Sequence, residues 1–280
     1  MKTKQILPLL LLFIFSNAFG QKLEKIKGSK VVIITTKNIP PFHTINMGQD
    51  IELNLVKAEL PSLEIEADDN LHETVMCTVV DSVLKIERIK EITRSKKYKL
   101  RINYTNSLNK IVLYDEAKLI ATNKIELKEL NINCSEKSKA FLNLNIDEFK
   151  IDFKDKSKAE LNITSKSSTL LLSDESKLKA LIVSPEIKID LLQKAEATIE
   201  GESLYALIRI DNTTELMAKN FSVTNLTLKT VNEAEAAVNA KNLTLSAGDT
   251  TETNLYGDCK IEIENFSGNA ILAKKEFKVK

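Results

Sequence analysis

The chain has 280 residues, of which 43% are hydrophobic and 28% are charged, so it contains enough apolar material for a sizeable core. Its 40 basic and 39 acidic side chains nearly balance. This balance excludes a broad electrostatic field that would attract nucleic acid or anionic lipid.

Residues 1–20 have the features of a signal peptide. Lys2 and Lys4 form a positive start, residues 6–15 are apolar, and Ala18-Phe19-Gly20 is a small-x-small cleavage site. Ten apolar residues are too few to cross a bilayer as a helix. The sequence therefore predicts export to the periplasm, the cell surface or the extracellular space, with no stable membrane insertion.

Residues 21–41 form a polar segment followed by a first strand. We expect 21–29 to be a frayed start and 30–36 to be a strand that ends before Pro40-Pro41. Alternating apolar residues then predict short strands at 43–47, 50–56, 63–67, 82–89 and 97–104.

Two connections in this region have their own signals. Asp69 or Asn70 is placed to cap one or two helical turns over residues 71–76. Residues 90–96 are basic and are expected to form a loop between two strands.

An internal repeat extends from residue 110 to residue 272. Each unit has an alternating apolar run, a polar turn, a small residue and a second alternating run. The small residues are Ala117, Ser138, Ser157, Ser176, Ala195, Thr214, Ala234, Thr251 and Asn269. Alternation inside a period of about 19 residues is typical of stacked β rungs.

The main alternative to a solenoid is an antiparallel β-sandwich, which also has regularly spaced strands. Sandwich turns vary in length, whereas rungs about 4.8 Å apart impose the same demand on every corner. The small-residue column therefore favours an all-β parallel β-helix, a β-solenoid, with an irregular N-terminal third. Its predicted core includes Ile151, Phe153, Leu170, Leu172, Ile189, Leu191, Ile208 and Ile210.

Two segments and the rung pattern carry a resemblance to a known family. Residues 63–87 (LEIEADDNLHETVMCTVVDSVLKIE) and the pair 255–258 (LYGD) and 265–269 (NFSGN) resemble the head GIN domain family of adhesin-like exported proteins from Bacteroidetes-type bacteria. The resemblance covers about residues 42–272 and implies a right-handed parallel β-helix. A basic tail, 273–280, would follow it.

The corners depart from the family pattern. Where the family tends to place glycine, this chain has SEKSKA, KDKSKA and SDESKLK. Glycine readily adopts a positive φ and lysine does not, so these corners require another residue type at the left-handed position.

The cysteines and histidines offer little for chemistry. Cys77, Cys134 and Cys259 match neither a disulfide framework nor a zinc site. We expect Cys134 to be buried in the core, and a Cys77–Cys259 bridge remains an alternative. His43 and His72 have no neighbouring nucleophile or ligand set, so neither a catalytic triad nor a histidine metal site is expected.

One column of carboxylates could support catalysis. Asp115, Glu136, Asp155 and Asp174 each lie two positions before a small residue. Stacked carboxylates can bind a hard cation or raise one another's pKa, and some glycosidases use paired carboxylates. Lysines lie beside each of them, however, so a solvated ladder of alternating charge is the favoured interpretation. We predict no enzyme activity, no cofactor and no metal.

The position after each small residue forms a second charged column, which we call the charge ladder: Lys118, Lys139, Lys158, Lys177, Glu196, Glu215, Glu235 and Glu252. Residues 110–185 carry 13 basic and 12 acidic side chains, whereas residues 186–272 carry 7 and 14. The ladder is either a solvated face or a self-complementary surface on which two copies meet antiparallel.

These features predict an exported, non-catalytic β-helical binding protein that is adhesin-like and contacts envelope or extracellular protein or glycan. Two alternatives remain at this point. A carbohydrate-active β-helix would need long loops over one face, but the turns here are short. A purely structural envelope spacer would bind no ligand at all.

Overall fold

The computed structural model describes residues 23–277, which form a nearly all-β solenoid of about 9 turns. The signal-peptide prediction for 1–20 therefore lies outside the described residues. The strands are β1 (Glu24–Lys27), β2 (Val32–Asn38), β3 (Thr44–Met47), β4 (Glu52–Lys57), β5 (Ser62–Asp68), β6 (Val75–Val80), β7 (Val83–Arg88), β8 (Lys90–Arg94), β9 (Tyr98–Tyr104), β10 (Lys110–Leu113), β11 (Lys118–Cys134), β12 (Lys139–Phe153), β13 (Lys158–Leu172), β14 (Lys177–Val183), β15 (Glu186–Leu191), β16 (Glu196–Ile210), β17 (Glu215–Thr230), β18 (Glu235–Ala247), β19 (Glu252–Tyr256), β20 (Lys260–Phe266) and β21 (Ile271–Lys274). A single 3₁₀ turn, Asp69–Leu71, follows β5.

Each turn of the solenoid has two straight segments separated by a corner. For example, β13 pairs with β14 along residues 158–164 and with β15 along residues 167–172. We call the face built from segments that stack on 158–164 face A, and the opposite one face B. From β10 to β21 every pairing along the stack is parallel, because successive turns run in the same direction.

The core lies between the two faces and contains the predicted residues. All eight are buried, and like side chains stack from turn to turn, as Phe153 does with Leu172 and Leu172 with Leu191. The small-residue column is buried from Ala117 to Thr251. The last position of that column was wrong by one residue, since Glu252 pairs with Ile271 and Thr251 therefore stacks under Ala270 rather than Asn269.

The small-residue column yields a stability prediction. The hydroxyl oxygens of Ser157 and Ser176 are buried, and neither has a hydrogen-bond partner among the described residues. The Ser138 hydroxyl instead donates to the Ser135 carbonyl at 2.8 Å. Because an unpaired buried hydroxyl is costly, Ser157→Ala and Ser176→Ala should leave stability unchanged or raise it by about 1 kcal/mol. Ser138→Ala should lower it by about 1 kcal/mol, and chemical denaturation of the three variants measures the contrast.

The N-terminal third joins the solenoid through parallel pairs and ends in antiparallel ones. Strand β3 pairs with β10 and β4 with β11, which continues the stack downwards. Beyond them β9 pairs antiparallel with β5, β5 with β2, and β7 with β6.

Three local predictions in this region were wrong. Part of the expected frayed start is strand β1, which pairs with β8, and β8 occupies most of the expected basic loop. Residues 71–76 do not form the expected helical turns. Only the 3₁₀ turn Asp69–Leu71 is present, without a side-chain cap, and β6 begins at Val75, because the segment pairs with β7 instead.

The cysteines remain thiols. Cys134 is buried as predicted, and desolvation raises its pKa to about 12. The alternative of a Cys77–Cys259 bridge is wrong, since both are free. Cys77 lies in β6 in the N-terminal third, while Cys259 immediately precedes β20 in the last turn, so the stack separates them.

Candidate functional site: the charge ladder of face A

The charge ladder is continuous in the structure. Strand register stacks Lys118 on Lys139, Lys158 and Lys177, and then Glu196 on Glu215, Glu235 and Glu252. Each member is the first residue of its face A segment, because the buried small residue before it ends the turn. Four positive side chains therefore give way to four negative ones along a single straight line on the surface.

Ion pairs neutralise the lysine half at both ends. The Lys118 Nζ lies 2.9 Å from Glu52 Oε2, and the Lys177 Nζ lies 2.6 Å from Glu196 Oε1. Glu52 extends the ladder downwards by one position, because β4 stacks beneath β11. The sequence pattern missed it, since β4 lies outside the repeat.

The middle of each half keeps its charge. Within residues 23–277, Lys139 and Lys158 have no carboxylate within ion-pair distance, and neither Glu215 nor Glu235 has a basic partner. All four are exposed. Like charges stacked on neighbouring strands destabilise a sheet, so the uncompensated pairs are a cost that a partner of opposite charge would remove.

The adjoining turn adds compensated pairs. Lys137 Nζ lies 2.7 Å from Glu116 Oε1, and Lys156 Nζ lies 3.4 Å from Glu175 Oε2. The hydrogen bond from Lys137 lowers the pKa of the Glu116 carboxyl and raises that of the Lys137 ammonium. These pairs leave the excess positive charge of this region on Lys139 and Lys158.

The carboxylate column has a structural role in the turns. Its residues adopt a left-handed φ: Asp115 47°, Glu136 57°, Asp155 57° and Asp174 59°. Short polar side chains tolerate this region better than most non-glycine residues, which explains how the chain manages without glycine corners. The residues that follow Glu136, Asp155 and Asp174 are Lys137, Lys156 and Glu175, and none of these three has a left-handed φ.

Two of these carboxylates, those of Asp155 and Asp174, also accept hydrogen bonds from the turn below. Asp155 Oδ2 accepts from the Glu136 N–H at 2.9 Å, and Asp174 Oδ2 accepts from the Asp155 N–H at 3.2 Å. Gln193 continues the series by accepting from the Asp174 N–H at 2.7 Å. Because the uncharged Gln193 amide accepts the same kind of hydrogen bond, the interaction does not require a carboxylate. The column therefore connects neighbouring turns.

A shallow groove of about 540 Å³ lies on face A beside the ladder. Two strand bulges lie on either side of this flat groove. One is in β11, between Ala121 and Lys124, and the other is where β16 pairs with β17. Phe141, Asn143, Asn162 and Leu181 are among the lining residues. The Asn162 amide donates to Asn143 Oδ1 at 2.7 Å, which forms a short amide ladder. The repeat pattern did not reveal this groove, because bulges depend on pairing between strands.

The histidines are placed as hydrogen-bonding groups in the N-terminal third. His72 Nδ1 lies 2.7 Å from the Thr35 hydroxyl, and Nε2 lies 3.2 Å from the Ala67 carbonyl. His43 Nδ1 lies 3.5 Å from the Thr44 hydroxyl. Over residues 23–277 no group of three or more histidine, cysteine or acidic side chains is arranged to hold a metal ion.

Comparisons with known proteins agree with this architecture. A solved structure from Parabacteroides merdae, described as a "putative adhesin", is 19% identical with a TM-score of 0.58. Two from Parabacteroides distasonis, a "putative adhesin" and a "putative lipid binding protein", are 16% and 15% identical with TM-scores of 0.62 and 0.61. Each alignment covers 91% of this chain and 100% of the other chain, and at these identities the likeness establishes the fold. No curated protein matches the chain.

In the part of the chain that the structure describes, no helix has the length and apolar character needed to cross a membrane.

The sequence matches the family described as "Putative auto-transporter adhesin, head GIN domain" over residues 41–258, well over half of its length. The chain therefore belongs to this head GIN domain family.

Proposed function

We propose that the protein is an exported, non-catalytic binding module that contacts envelope or extracellular protein or glycan through face A. The single observation that carries this proposal is the unbroken charge ladder, with Lys139 and Lys158 uncompensated beside an open groove. Membership of an adhesin family and the signal-peptide features of residues 1–20 support export. A rigid stack suits binding, because its backbone is already ordered and holds successive side chains at a fixed spacing.

Catalysis by the carboxylate column is the weaker candidate. Asp155 and Asp174 each accept a backbone N–H from the turn beside them and support left-handed turns. Both roles explain why the residues are acidic without any reaction. Polysaccharide turnover that is abolished by Asp155→Asn or Asp174→Asn would overturn the non-enzymatic proposal.

The test is a glycan array and a pull-down with the mature protein, each followed by measurement of affinity. The paired substitution Lys139→Glu/Lys158→Glu should weaken binding of an anionic ligand severalfold, because it reverses both uncompensated charges. The matched control is Lys150→Glu/Lys229→Glu, which changes net charge equally but lies on the outer side of face B. Equal loss in both pairs would show that the ladder is not the binding surface.

We also propose that a second copy of the chain fits the ladder in antiparallel orientation. A two-fold axis at the Lys177–Glu196 step brings Lys158 opposite the other copy's Glu215, and Lys139 opposite its Glu235. None of these four side chains has an ion-pair partner among the described residues. The match arises because the ladder changes sign at its midpoint.

The antiparallel dimer should weaken as salt rises, because exposed charges are screened within about 8 Å at physiological ionic strength. Analytical ultracentrifugation at low and high salt measures this. Lys158→Glu and Glu215→Lys should each weaken the dimer, and the double variant should partly restore it. A protein that stays monomeric at low salt and high concentration would contradict the proposal.

A further inference from the structure

The C-terminal end of the solenoid exposes side chains that belong to the core. In β20, Ile261 stacks on Leu243 and Ile263 on Leu245, and both residues below are buried. Yet Ile261 and Ile263 are 45% and 52% exposed, and Phe266 is 45% exposed. They face the interior of a turn that nothing within residues 23–277 covers.

The strand edges at this end are open as well. Among the described strands, β20 pairs only with β18 and β21 only with β19, so their outer N–H and C=O groups have no strand partner. The opposite end differs, because antiparallel strands and the 3₁₀ turn bury Leu63, Ile65 and Leu71 there. Open edges are usually blunted by charges, proline or bulges. Here β20 has one bulge and the charged residues Lys260, Glu262 and Glu264, and the inward-register Lys274 of β21 lies 3.5 Å from Asp258. These features blunt the strand edges but leave the inward-facing Ile261, Ile263 and Phe266 uncovered.

We propose that a second copy of the chain covers this end through a two-fold contact between terminal turns. A solenoid climbs one strand spacing of about 4.8 Å per turn, so β20 on face B and β21 on face A end half a spacing apart. A two-fold axis along the strand direction sets each β20 beside the other copy's β21. The distance between the edge strands of the two copies is then one strand spacing on face A and on face B. An axis perpendicular to the faces would instead set β20 beside the other copy's β20 and β21 beside its β21. The distance between one of these pairs would then be about twice the distance between the other.

In this arrangement the two edge strands that meet also have suitable directions and complementary charges. Segments on opposite faces of a coil run in opposite directions, so β20 and the second copy's β21 are antiparallel, as edge strands can pair. Because this axis preserves position along the strand, Phe266 near the end of β20 lies opposite the other copy's Leu272 near the start of β21, and two apolar side chains meet across the joint. The acidic strand with Glu262 and Glu264 then lies beside the strand that ends in Lys274 and Lys275.

Sedimentation and light scattering of the mature protein over a range of concentrations test this contact. We expect a reversible dimer that persists at high salt, because burial of apolar surface is not screened, whereas a ladder contact dissociates. Ile263→Lys should weaken it about tenfold or more, since it places a charge in the joint. Leu207→Lys is the matched control, because Leu207 is 50% exposed on face B in the middle of the solenoid and should leave the dimer intact.

Cysteine crosslinking tests the geometry independently and does not depend on how Ile263→Lys folds. In a Cys259→Ser background, Asn265→Cys and Ala273→Cys change two positions on the outer side of β20 and β21 that this axis sets opposite each other. A mixture of the two proteins should form a disulfide between copies, and each protein alone should form little. A native protein that is monomeric at every concentration, a dimer indifferent to Ile263→Lys, or crosslinking of each variant with itself would overturn the proposal.

Discussion

Replacing Leu172 with aspartate should unfold several neighbouring turns together. Leu172 is fully buried and lies between Phe153 and Leu191 in the stack. A charge at this point has no partner, and burial of an unpaired charge costs several kcal/mol. That cost is a large part of a domain's free energy of unfolding, which is about 5–15 kcal/mol. Since each turn is stabilised mainly by its neighbours, the loss spreads along the solenoid.

Thermal unfolding followed by circular dichroism measures the effect of Leu172→Asp. The matched control is Lys154→Asp, one residue beyond the same stack, where the side chain is exposed and its Nζ lies 3.3 Å from Asp152 Oδ2. The control should change the midpoint by no more than about a degree or two, as surface substitutions do. An unchanged midpoint for Leu172→Asp would refute the inward register.

Removing the Asp68 carboxylate should loosen the N-terminal third and change its response to acid. Asp68 is fully buried, and its oxygens accept hydrogen bonds from the N–H groups of Lys30 at 2.9 Å, Lys96 at 3.2 Å and Lys97 at 3.1 Å. It therefore ties the start of β2 to the β8–β9 connection. Asp68→Ala leaves these donors without an acceptor and should lower the unfolding midpoint by several degrees.

The pH dependence follows from the direction of the pKa shift. Burial raises the pKa of the Asp68 carboxyl, but the backbone N–H groups of Lys96, Lys30 and Lys97 outweigh it and bring the pKa below the ordinary value of 3.8. A depressed pKa means that the folded state favours the carboxylate, so the contribution is present above pH 3.8 and is lost as pH falls through the folded pKa.

Acid titration of stability separates this group from the others. The native protein should lose stability as pH falls below about 4, and in Asp68→Asn this loss should be smaller because the carboxylate is gone. The control, Asp81→Asn at an exposed turn, should lose as much stability in acid as the native protein. Identical acid limbs for Asp68→Asn and the native protein would show that the carboxylate does not stabilise the fold.

The repeat and its columns could be predicted from the sequence because a stack of hydrogen-bonded turns gives equivalent residues equivalent surroundings. The buried Leu172 and the order of Lys158, Lys177, Glu196 and Glu215 along one line both follow from period-two alternation within a period of about 19 residues. The role of the carboxylate column did not follow from the pattern. Which atom accepts the Glu136 N–H depends on a left-handed turn, and the residue types alone do not specify it.

The tertiary structure decided the features that depend on partners distant in sequence. Glu52 reaches Lys118 across 66 residues, and Asp68 holds Lys97 across 29, and neither pair belongs to the repeat. For the same reason β1 and β8 were missed, since each is a strand only because the other lies beside it. The sequence by itself determined a solenoid with a charge column that reverses sign at mid-length. The tertiary structure determined which of those charges are already neutralised and which end of the core is left open, because both depend on neighbours that local sequence does not specify.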